Sequence, residues 1–176
     1  SFEVLVGQGS QEITWADVPS KTYGDAAFDV SASSSSALSV GYEVVSGPAT
    51  IEGAKVTLSG AGTVVLRAKQ GGNDNWNGAA ALKSLEVVKA AQAITFGYLA
   101  GREFTSEPIQ LGASSSSGLS VVYEVMKGEA TVFGDELTLT GVGEVTVRAK
   151  HLGTANYLAA SAVDRIFTVS QGTQSV

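Results

Sequence analysis

The chain contains one histidine and two runs of serine, the residue types from which a nucleophilic site could be built. The histidine is His151, and the serine runs lie at residues 33–36 and 114–117. A serine nucleophile needs a base held against its hydroxyl group, and neither run lies in the Gly-x-Ser-x-Gly turn that exposes such a serine. The position 81 residues before His151 holds Gln70, which is a poor base. We therefore interpret His151 as an exposed residue at a strand end and the serine runs as polar edges that lead into loops.

Metal sites and paired acids are also poorly supported by the sequence. Residues 73–75, Asn-Asp-Asn, are faintly similar to a calcium loop, but the closing bidentate carboxylate that calcium loops use is missing. Glu43 and Glu124 each stand alone on the outward face of a predicted strand, whereas glycoside hydrolysis needs two acids across a cleft. Cysteine is absent, which excludes disulfides, thiolate metal sites and cysteine nucleophiles. We predict no enzyme activity, no metal and no cofactor.

Aromatic residues offer the best binding hypothesis, because aromatic rings could form a platform for sugars. The candidate ligand-binding residues are Trp15, Tyr23, Trp76 and Tyr157. The first three positions remain aromatic 81 residues later, as Phe96, Phe104 and Tyr157. Such a pattern favours packing in a core or an interface over ligand binding. Tyr98 and Phe133 have no aromatic counterpart, and we expect both to be exposed.

An internal repeat relates the two halves of the chain. A shift of 81 residues carries Gln-Glu-Ile-Thr-Trp at 11–15 onto Gln-Ala-Ile-Thr-Phe at 92–96. With this shift and no gap, residues 11–88 and 92–169 share 31 identities in 78 positions. Agreement of this extent does not arise by chance, so the chain is predicted to contain two copies of one module.

The repeat also sets the predicted domain boundaries. They are a tail of a preceding repeat or linker at 1–9, a first repeat at 10–88, a second repeat at 89–170, and the start of a following repeat or linker at 171–176. The terminal assignments rest on short similarities: Ser1-Phe2-Glu3-Val4 resembles Ser84-Leu85-Glu86-Val87, and Gln174-Ser175-Val176 resembles Gln11-Glu12-Ile13.

Apolar and polar residues alternate within each repeat, which predicts strands with one buried and one solvated face. The inward sets of one such strand and its counterpart are Val64, Leu66 and Ala68, and Val145, Val147 and Ala149. Gly53-Ala54 and Gly134-Asp135 predict two-residue hairpin loops of type II′, in which the first residue has a positive φ. About seven strands per repeat, without a helical period, predict an all-β fold of two tandem immunoglobulin-like antiparallel β-sandwiches.

A resemblance to a known family rests on four segments of the first repeat. They are Gln11-Glu12-Ile13-Thr14-Trp15, Lys21-Thr22-Tyr23-Gly24-Asp25, Val44-Val45-Ser46-Gly47-Pro48-Ala49-Thr50 and Gly71-Gly72-Asn73-Asp74-Asn75-Trp76. Together they resemble the bacterial immunoglobulin-like repeats often labelled MBG, and the likeness extends over almost the whole chain. The second repeat departs from the signature at Arg102-Glu103-Phe104-Thr105-Ser106, so no role of Gly24 or Asp25 is shared by both repeats. The resemblance implies an extracellular or cell-surface location and no defined ligand.

Charge and composition narrow the range of partners. The net charge is −6, and the 11 basic residues are spread thinly along the chain, whereas a nucleic-acid binder needs a clustered basic face. No apolar run approaches the length that spans a bilayer. We therefore predict no nucleic-acid partner and no membrane insertion of this segment.

Lys69, Asn75 and Glu43 recur as Lys150, Asn156 and Glu124. Some surface immunoglobulin-like domains use these residue types for intramolecular isopeptide bonds. The strand phase directs Lys69 and Glu43 outward, whereas that chemistry needs a buried, desolvated lysine. We do not expect the bond to form.

These observations favour a non-catalytic module that serves as a structural spacer or adhesion stalk in a large extracellular bacterial protein. The alternative is an ancillary carbohydrate-binding module of a secreted polysaccharide-degrading protein, which the aromatic candidates favour. The expected partners are neighbouring repeats of the same chain, with a cell-surface or polysaccharide ligand as the further candidate.

Overall fold

Alternating apolar residues build the strands of this chain, whose computed structural model describes residues 6–172. The terminal segments that resemble parts of further repeats, residues 1–4 and 174–176, lie outside the described residues. The chain divides into two units, Ser1–Ala90 and Ala91–Val176. All regular elements between residues 6 and 172 are strands, which confirms the predicted all-β class.

Unit 1 contains nine strand segments among its described residues. They are β1 (Ile13–Trp15), β2 (Lys21–Thr22), β3 (Phe28–Asp29), β4 (Ala32–Ser34), β5 (Gly41–Ser46), β6 (Ala49–Glu52), β7 (Lys55–Leu58), β8 (Gly62–Gln70) and β9 (Ala79–Val88). One sheet has the order β2-β9-β8-β5, a second has the order β3-β7-β6, and β1 pairs with β4. Backbone hydrogen bonds continue between β3 and β4, where Val30 N donates to Ala54 O and Ser31 O accepts from Ala16 N. We therefore treat β3 and β4 as one interrupted strand.

The segments form the two layers of an immunoglobulin-like sandwich. One layer contains β1, β3–β4, β7 and β6, and the other contains β2, β9, β8 and β5. β1 and β2 are two parts of one edge strand that changes layer, so the unit has seven strands in the arrangement typical of this fold. The pairing of β2 with β9 is parallel, with Lys21 opposite Val87. This pair is the exception to the predicted antiparallel sheets.

Unit 2 repeats this order of elements. Its strands are β10 (Ile94–Phe96), β11 (Arg102–Glu103), β12 (Ile109–Gln110), β13 (Ala113–Ser115), β14 (Val122–Lys127), β15 (Ala130–Phe133), β16 (Glu136–Leu139), β17 (Gly143–Lys150) and β18 (Val163–Ser170). The sheets are β11-β18-β17-β14 and β12-β16-β15, with β10 paired to β13. The parallel edge pair recurs between β11 and β18, with Arg102 opposite Val169.

The core of each unit lies between the layers and is built by the alternating residues. All six residues of the predicted inward sets are fully buried: Val64, Leu66, Ala68, Val145, Val147 and Ala149. In unit 1, Val64 and Leu66 belong to one apolar cluster with Val56 of the facing layer. In unit 2 the facing layer contributes Leu137 and Leu139. The predicted strand phase is therefore confirmed in both units.

The predicted two-residue hairpin loops are also confirmed. Glu52 pairs with Lys55 across the first loop, which leaves Gly53 and Ala54 as its two residues. Gly53 has φ of 59° and Gly134 has φ of 62°. Ala54 has no positive φ, so the loop matches a type II′ turn, which places only its first residue in that region.

The last strand does not follow the gap-free shift of 81 residues. Val64 lies opposite Leu85 in unit 1, whereas its counterpart Val145 lies opposite Phe167 in unit 2. The shift is therefore 82 in this strand, and the expectation of a repeat without any gap is wrong there. One extra residue is accommodated before β18, between Ala160, whose N–H donates to His151 O, and Val163. Because a one-residue slip exchanges the two faces of a strand, the apolar pattern moves with the insertion.

A bulge in the long edge strand of each unit depends on glycine. The pairing of β5 with β8 shifts between Val44 and Ser46, and Gly47 follows with φ of 98°. A Cβ atom on Gly47 would lie 2.3 Å from Thr63 O. Gly128 repeats this arrangement, with φ of 99° and a Cβ position 2.3 Å from Glu144 O.

We predict that Gly47→Ala destabilises unit 1 much more than Gly53→Ala does. Both substitutions place an alanine at positive φ, which costs roughly 1–2 kcal/mol, but no atom lies within 4 Å of a Cβ on Gly53. The clash of Gly47→Ala with β8 should add roughly 1–3 kcal/mol. Chemical denaturation of the 176-residue chain measures both losses, and equal losses would show that the close approach to Thr63 is unimportant.

Candidate functional site

The serine run of unit 1 meets a buried glutamine just before β1. The side chain of Gln11 is 8% exposed, and its Oε1 accepts hydrogen bonds from the hydroxyl groups of Ser34 and Ser36, both at 2.5 Å. Its Nε2 donates to Gln70 Oε1 at 2.5 Å and to the backbone oxygen of Asn77 at 2.6 Å. We call these five residues the glutamine clamp of unit 1.

The glutamine clamp of unit 2 contains Gln92, Ser115, Ser117, His151 and Leu158. Gln92 Oε1 accepts from Ser117 Oγ at 2.6 Å, and the hydroxyl groups of Ser115 and Ser117 lie 2.6 Å apart. Gln92 Nε2 donates to the backbone oxygen of Leu158 at 2.7 Å. It also lies 3.0 Å from His151 Nδ1.

His151 plays the part that Gln70 plays in unit 1. Gly72 N donates to Gln70 Oε1 at 2.6 Å, and Gly153 N donates to His151 Nδ1 at 2.9 Å. Nδ1 of His151 accepts from Gly153 N and therefore carries no proton, and it takes the place of the amide oxygen of Gln70 with a single lone pair that the two donors share. His151 directly follows β17, in agreement with the strand-end interpretation. The expectation that it is exposed is wrong, because it is half-buried and its ring accepts a hydrogen bond from the loop at Gly153.

The serine runs are likewise more than polar edges. Alternate serines, Ser34 and Ser36 in unit 1, turn their hydroxyl groups to a buried carboxamide. An amide oxygen is a hydrogen-bond acceptor and does not remove the hydroxyl proton, so the contact does not activate the serine as a nucleophile. Within residues 6–172, no group of three or more His, Cys, Asp or Glu side chains could hold a metal ion.

The aromatic candidates of unit 1 are spread along the sandwich. The ring of Trp15 packs on the core, and its Nε1 donates to Ala81 O at 3.1 Å near the start of β9. Tyr23 lies at the other end of this strand, where its backbone N–H donates to Val88 O at 2.9 Å. Seven residues of extended strand separate these contacts by roughly 23 Å. Trp15 and Tyr23 therefore do not form one flat platform.

Trp76 lies in the loop between β8 and β9, at the end of unit 1 opposite Tyr23. Its ring packs against the backbone of Gly9, where an added Cβ would lie 3.0 Å from Cζ3 of the indole. Tyr157 occupies the corresponding loop of unit 2, between β17 and β18, and is half-buried. These two loop aromatics are the candidates that remain at the surface of a unit without belonging to its core cluster.

The exposure of the other aromatics agrees with some of the predictions and contradicts one. Tyr98 is 82% exposed and Phe133 is 89% exposed, as predicted. Phe96 is buried, as the packing interpretation requires, but Phe104 is 40% exposed and lies outside the core. Phe104 is near the end of unit 2, where Val142, Gln171 and Gly172 form a shallow pocket with it.

The outward carboxylates Glu43 and Glu124 form ion pairs with lysine and arginine side chains. Lys69 Nζ lies 2.6 Å from Glu43 Oε2, and Arg67 contacts the other oxygen. These pairs lower the pKa of Glu43 below its ordinary 4.5, first through the Lys69 hydrogen bond and then through Arg67. The hydrogen bond from Lys150 lowers the pKa of Glu124 in the same way. Both carboxyl groups therefore stay ionised at neutral pH, where they are ion-pair partners of cationic side chains and do not act as general acids.

The lysines of these pairs point outward, as predicted. The side chain of Lys69 is 54% exposed and that of Lys150 is 33% exposed. An isopeptide bond requires a neutral, desolvated lysine, which such ion-paired, solvated side chains do not provide.

A groove of about 490 Å³ in unit 2 was not predicted from the sequence. It lies between β14 and the hairpin of β15 and β16, with Val121, Tyr123 and Val132 in its wall. Asp135 is its one charged lining residue. The hydroxyl group of Tyr123 is already engaged by Leu111 O at 3.1 Å and Ala113 N at 2.6 Å, so the groove holds no pair of groups suited to acid–base chemistry.

Comparison with known proteins identifies no family. No protein-family model matches the sequence, and the comparison with curated proteins gives no match. The resemblance to MBG repeats therefore stays a prediction. Within residues 6–172 no helix is long and apolar enough to cross a membrane.

Several solved structures show a weak likeness to this chain. Drosophila N-cadherin EC1-3 is 12% identical with a TM-score of 0.36, and the match covers 94% of this chain and 69% of that one. A SusE-like surface-located polysaccharide-binding protein of Bacteroides thetaiotaomicron is 12% identical with a TM-score of 0.34, over 92% of this chain and 33% of that one. The fibronectin(III)-like modules of Clostridium thermocellum CbhA are 16% identical with a TM-score of 0.33, over 90% and 94%. The strand order within each unit, and not this likeness, identifies the fold as an immunoglobulin-like β-sandwich. Likeness at this level does not extend to function.

We predict that His151→Gln changes the free energy of unfolding of unit 2 by no more than about 0.5 kcal/mol, because a substitution outside the core that keeps every hydrogen bond is nearly neutral. His151→Leu removes the acceptor for Gly153 N and Gln92 Nε2, and unsatisfied donors of this kind cost about 1–3 kcal/mol. Denaturant unfolding of the full chain compares the two variants. An equal loss for both would mean that the imidazole does not act as the acceptor.

We also predict that Glu43 and Glu124 titrate below pH 4.5, the ordinary value for glutamate. Because their pKa values are lowered by folding, their contribution to stability is present above the unfolded value and is lost as the pH falls through the folded one. Side-chain carboxyl NMR shifts followed against pH measure the midpoints. Lys69→Ala should raise the midpoint of Glu43 and leave that of Glu124 unchanged, and an unshifted Glu43 midpoint would contradict the pairing.

Proposed function

We propose that this chain is a non-catalytic spacer or adhesion-stalk module of a large extracellular bacterial protein. The path of the chain through each unit is the observation that carries the proposal. In unit 1 the chain enters beside the β8–β9 loop, where Gly9 N donates to Asn75 O and Gly9 O accepts from Asn77 N, both at 2.8 Å. It leaves at Val88, at the far end of β9.

The two ends of the path are separated by the longest strand of the unit. β9 has ten residues, which corresponds to roughly 30 Å of extended chain. A module that receives the chain at one end and releases it at the other adds its own length to whatever it connects. Unit 2 follows the same path, from Gln92 beside the β17–β18 loop to Ser170, whose oxygen accepts from Phe104 N at 2.9 Å.

The polar side chains that could take part in catalysis support the same proposal. The histidine and the serines of both clamps hold loops and strand ends in place, and the outward acids are bound by arginine and lysine. These groups stabilise a unit and leave none of the paired acid and base that hydrolysis requires. The extracellular location rests on the resemblance to MBG repeats, and neighbouring repeats are the proposed partners.

An ancillary carbohydrate-binding role is the alternative. It rests on Trp76 and Tyr157, the aromatics placed in the loops at one end of each unit. A stacked sugar ring needs an open aromatic face, whereas the ring of Trp76 packs against Gly9. The spread of Trp15 and Tyr23 along β9 removes the larger platform that the sequence suggested.

The spacer proposal predicts no glycan binding above background when the intact chain is screened on a glycan array. Trp76→Ala is the test variant, and Tyr98→Ala is the matched control because Tyr98 is 82% exposed and carries no proposed role. Specific binding that is lost in a folded Trp76→Ala variant, and kept in Tyr98→Ala, would contradict the spacer proposal and establish the loop as a sugar site.

A further inference from the structure

The two glutamine clamps lie close to where tension on the chain enters each unit, in unit 1 directly after the backbone hydrogen bonds of Gly9. Gln11 follows Gly9 by two residues and is the first buried residue in the part of unit 1 that the structure describes. Tension at the amino-terminal side pulls this residue along the axis of β1, away from the end of β9 at which the chain leaves. The contacts of Gln11 therefore carry the load before the strands that follow it.

The backbone pairing next to the clamp is short. β1 pairs with β4 over three residues, and β2 pairs with β9 over two. The carboxamide of Gln11 alone adds four hydrogen bonds to this short pairing. Because the side chain is 8% exposed, water has little access to compete for these bonds.

The four bonds reach three separate parts of unit 1. Ser34 and Ser36 lie at and beyond the end of β4, Gln70 ends β8, and Asn77 precedes β9. All four bonds share one planar group, so displacement of Gln11 strains them together instead of one after another. A set of bonds that must break together resists a pull better than a set that opens in sequence.

The clamp is retained in unit 2 although its members change. His151 replaces Gln70 and keeps the acceptor for Gln92 Nε2 and Gly153 N. Leu158 replaces Asn77, and its backbone oxygen still accepts from Gln92 Nε2. Three of the four hydrogen bonds of Gln11 thus recur at Gln92, while Ser115 bonds Ser117.

We propose that the hydrogen bonds of Gln11 and Gln92 resist the unfolding of the two units when the chain is pulled from its ends. This proposal rests on the proposed spacer function and names the residues by which a spacer would withstand tension. It assigns to the paired serines and to His151 the role of positioning the carboxamide.

Single-molecule force spectroscopy of the intact chain, held by handles at its two termini, tests the proposal. Gln11→Met and Gln92→Met keep the side-chain length and remove the hydrogen bonds. Each should raise the unfolding rate at a given force by roughly tenfold or more for one of the two unfolding events, because the lost bonds are broken at the unfolding barrier. The double variant should weaken both events, and His151→Gln should leave both unchanged.

Val56→Ala is the matched control, since Val56 is fully buried in the core of unit 1 and takes part in none of the hydrogen bonds of the clamp. It lowers equilibrium stability through a core cavity, and we expect a smaller effect on the unfolding rate under force than for Gln11→Met. The proposal is overturned if Gln11→Met unfolds at the same rate as the unaltered chain, or is accelerated no more than Val56→Ala. Equilibrium denaturation verifies that each variant is folded before it is pulled.

The two proposals fail in different experiments. If the chain binds glycans through Trp76 and Gln11→Met still unfolds faster under force, the spacer role is refuted and the mechanical role of the clamp is kept. A chain without glycan binding, whose force resistance is insensitive to Gln11→Met, would keep the spacer role and refute the clamp.

Discussion

The hydrogen bonding of one buried carboxamide determines how each unit is closed at the end where the chain enters. A buried polar group is costly unless it is satisfied, and Gln11 is satisfied only when β1, the serines after β4 and the β8–β9 loop are all in place. In unit 2 the half-buried Gln92 makes the corresponding contacts with Leu158 and Ser117. The carboxamide joins the serines, the residue that follows or ends the long strand (Gln70 or His151) and the next loop in each unit.

Local patterns predicted the strands and hairpins well, because these follow from short-range rules. Alternation placed Val64, Leu66 and Ala68 in the core, and a glycine in a two-residue loop predicted the turn at Gly53. The register of the last strand was mispredicted because identities continue by coincidence through Ala81 and Val88 in the gap-free alignment. Pairing across the sheet shows the inserted residue, and pairing partners are not visible in one strand's sequence.

The candidate site was predicted only in part, for a different reason. The sequence singled out His151 and the serine runs, and it noted that Gln70 aligns with the histidine. It did not show that an imidazole nitrogen and an amide oxygen accept the same hydrogen bonds, because that equivalence depends on a partner 59 residues away. The recurrence of Gln11 as Gln92, beside recurring serines, was the signal that could have indicated the clamp. The dispersal of Trp15, Tyr23 and Trp76 likewise depends on the path of β9 and not on their spacing.

The most direct measurement is the hydrogen exchange of the side-chain amide protons of Gln11 and Gln92, followed by NMR in the intact chain. Exchange requires opening of the hydrogen-bonded state. We therefore predict that the side-chain amide protons of Gln11 and Gln92 exchange at least about tenfold more slowly than those of the exposed Gln171. Exchange of Gln11 and Gln92 at the rate of Gln171 would show that the carboxamides are open to water, and it would contradict the central role given to the clamps.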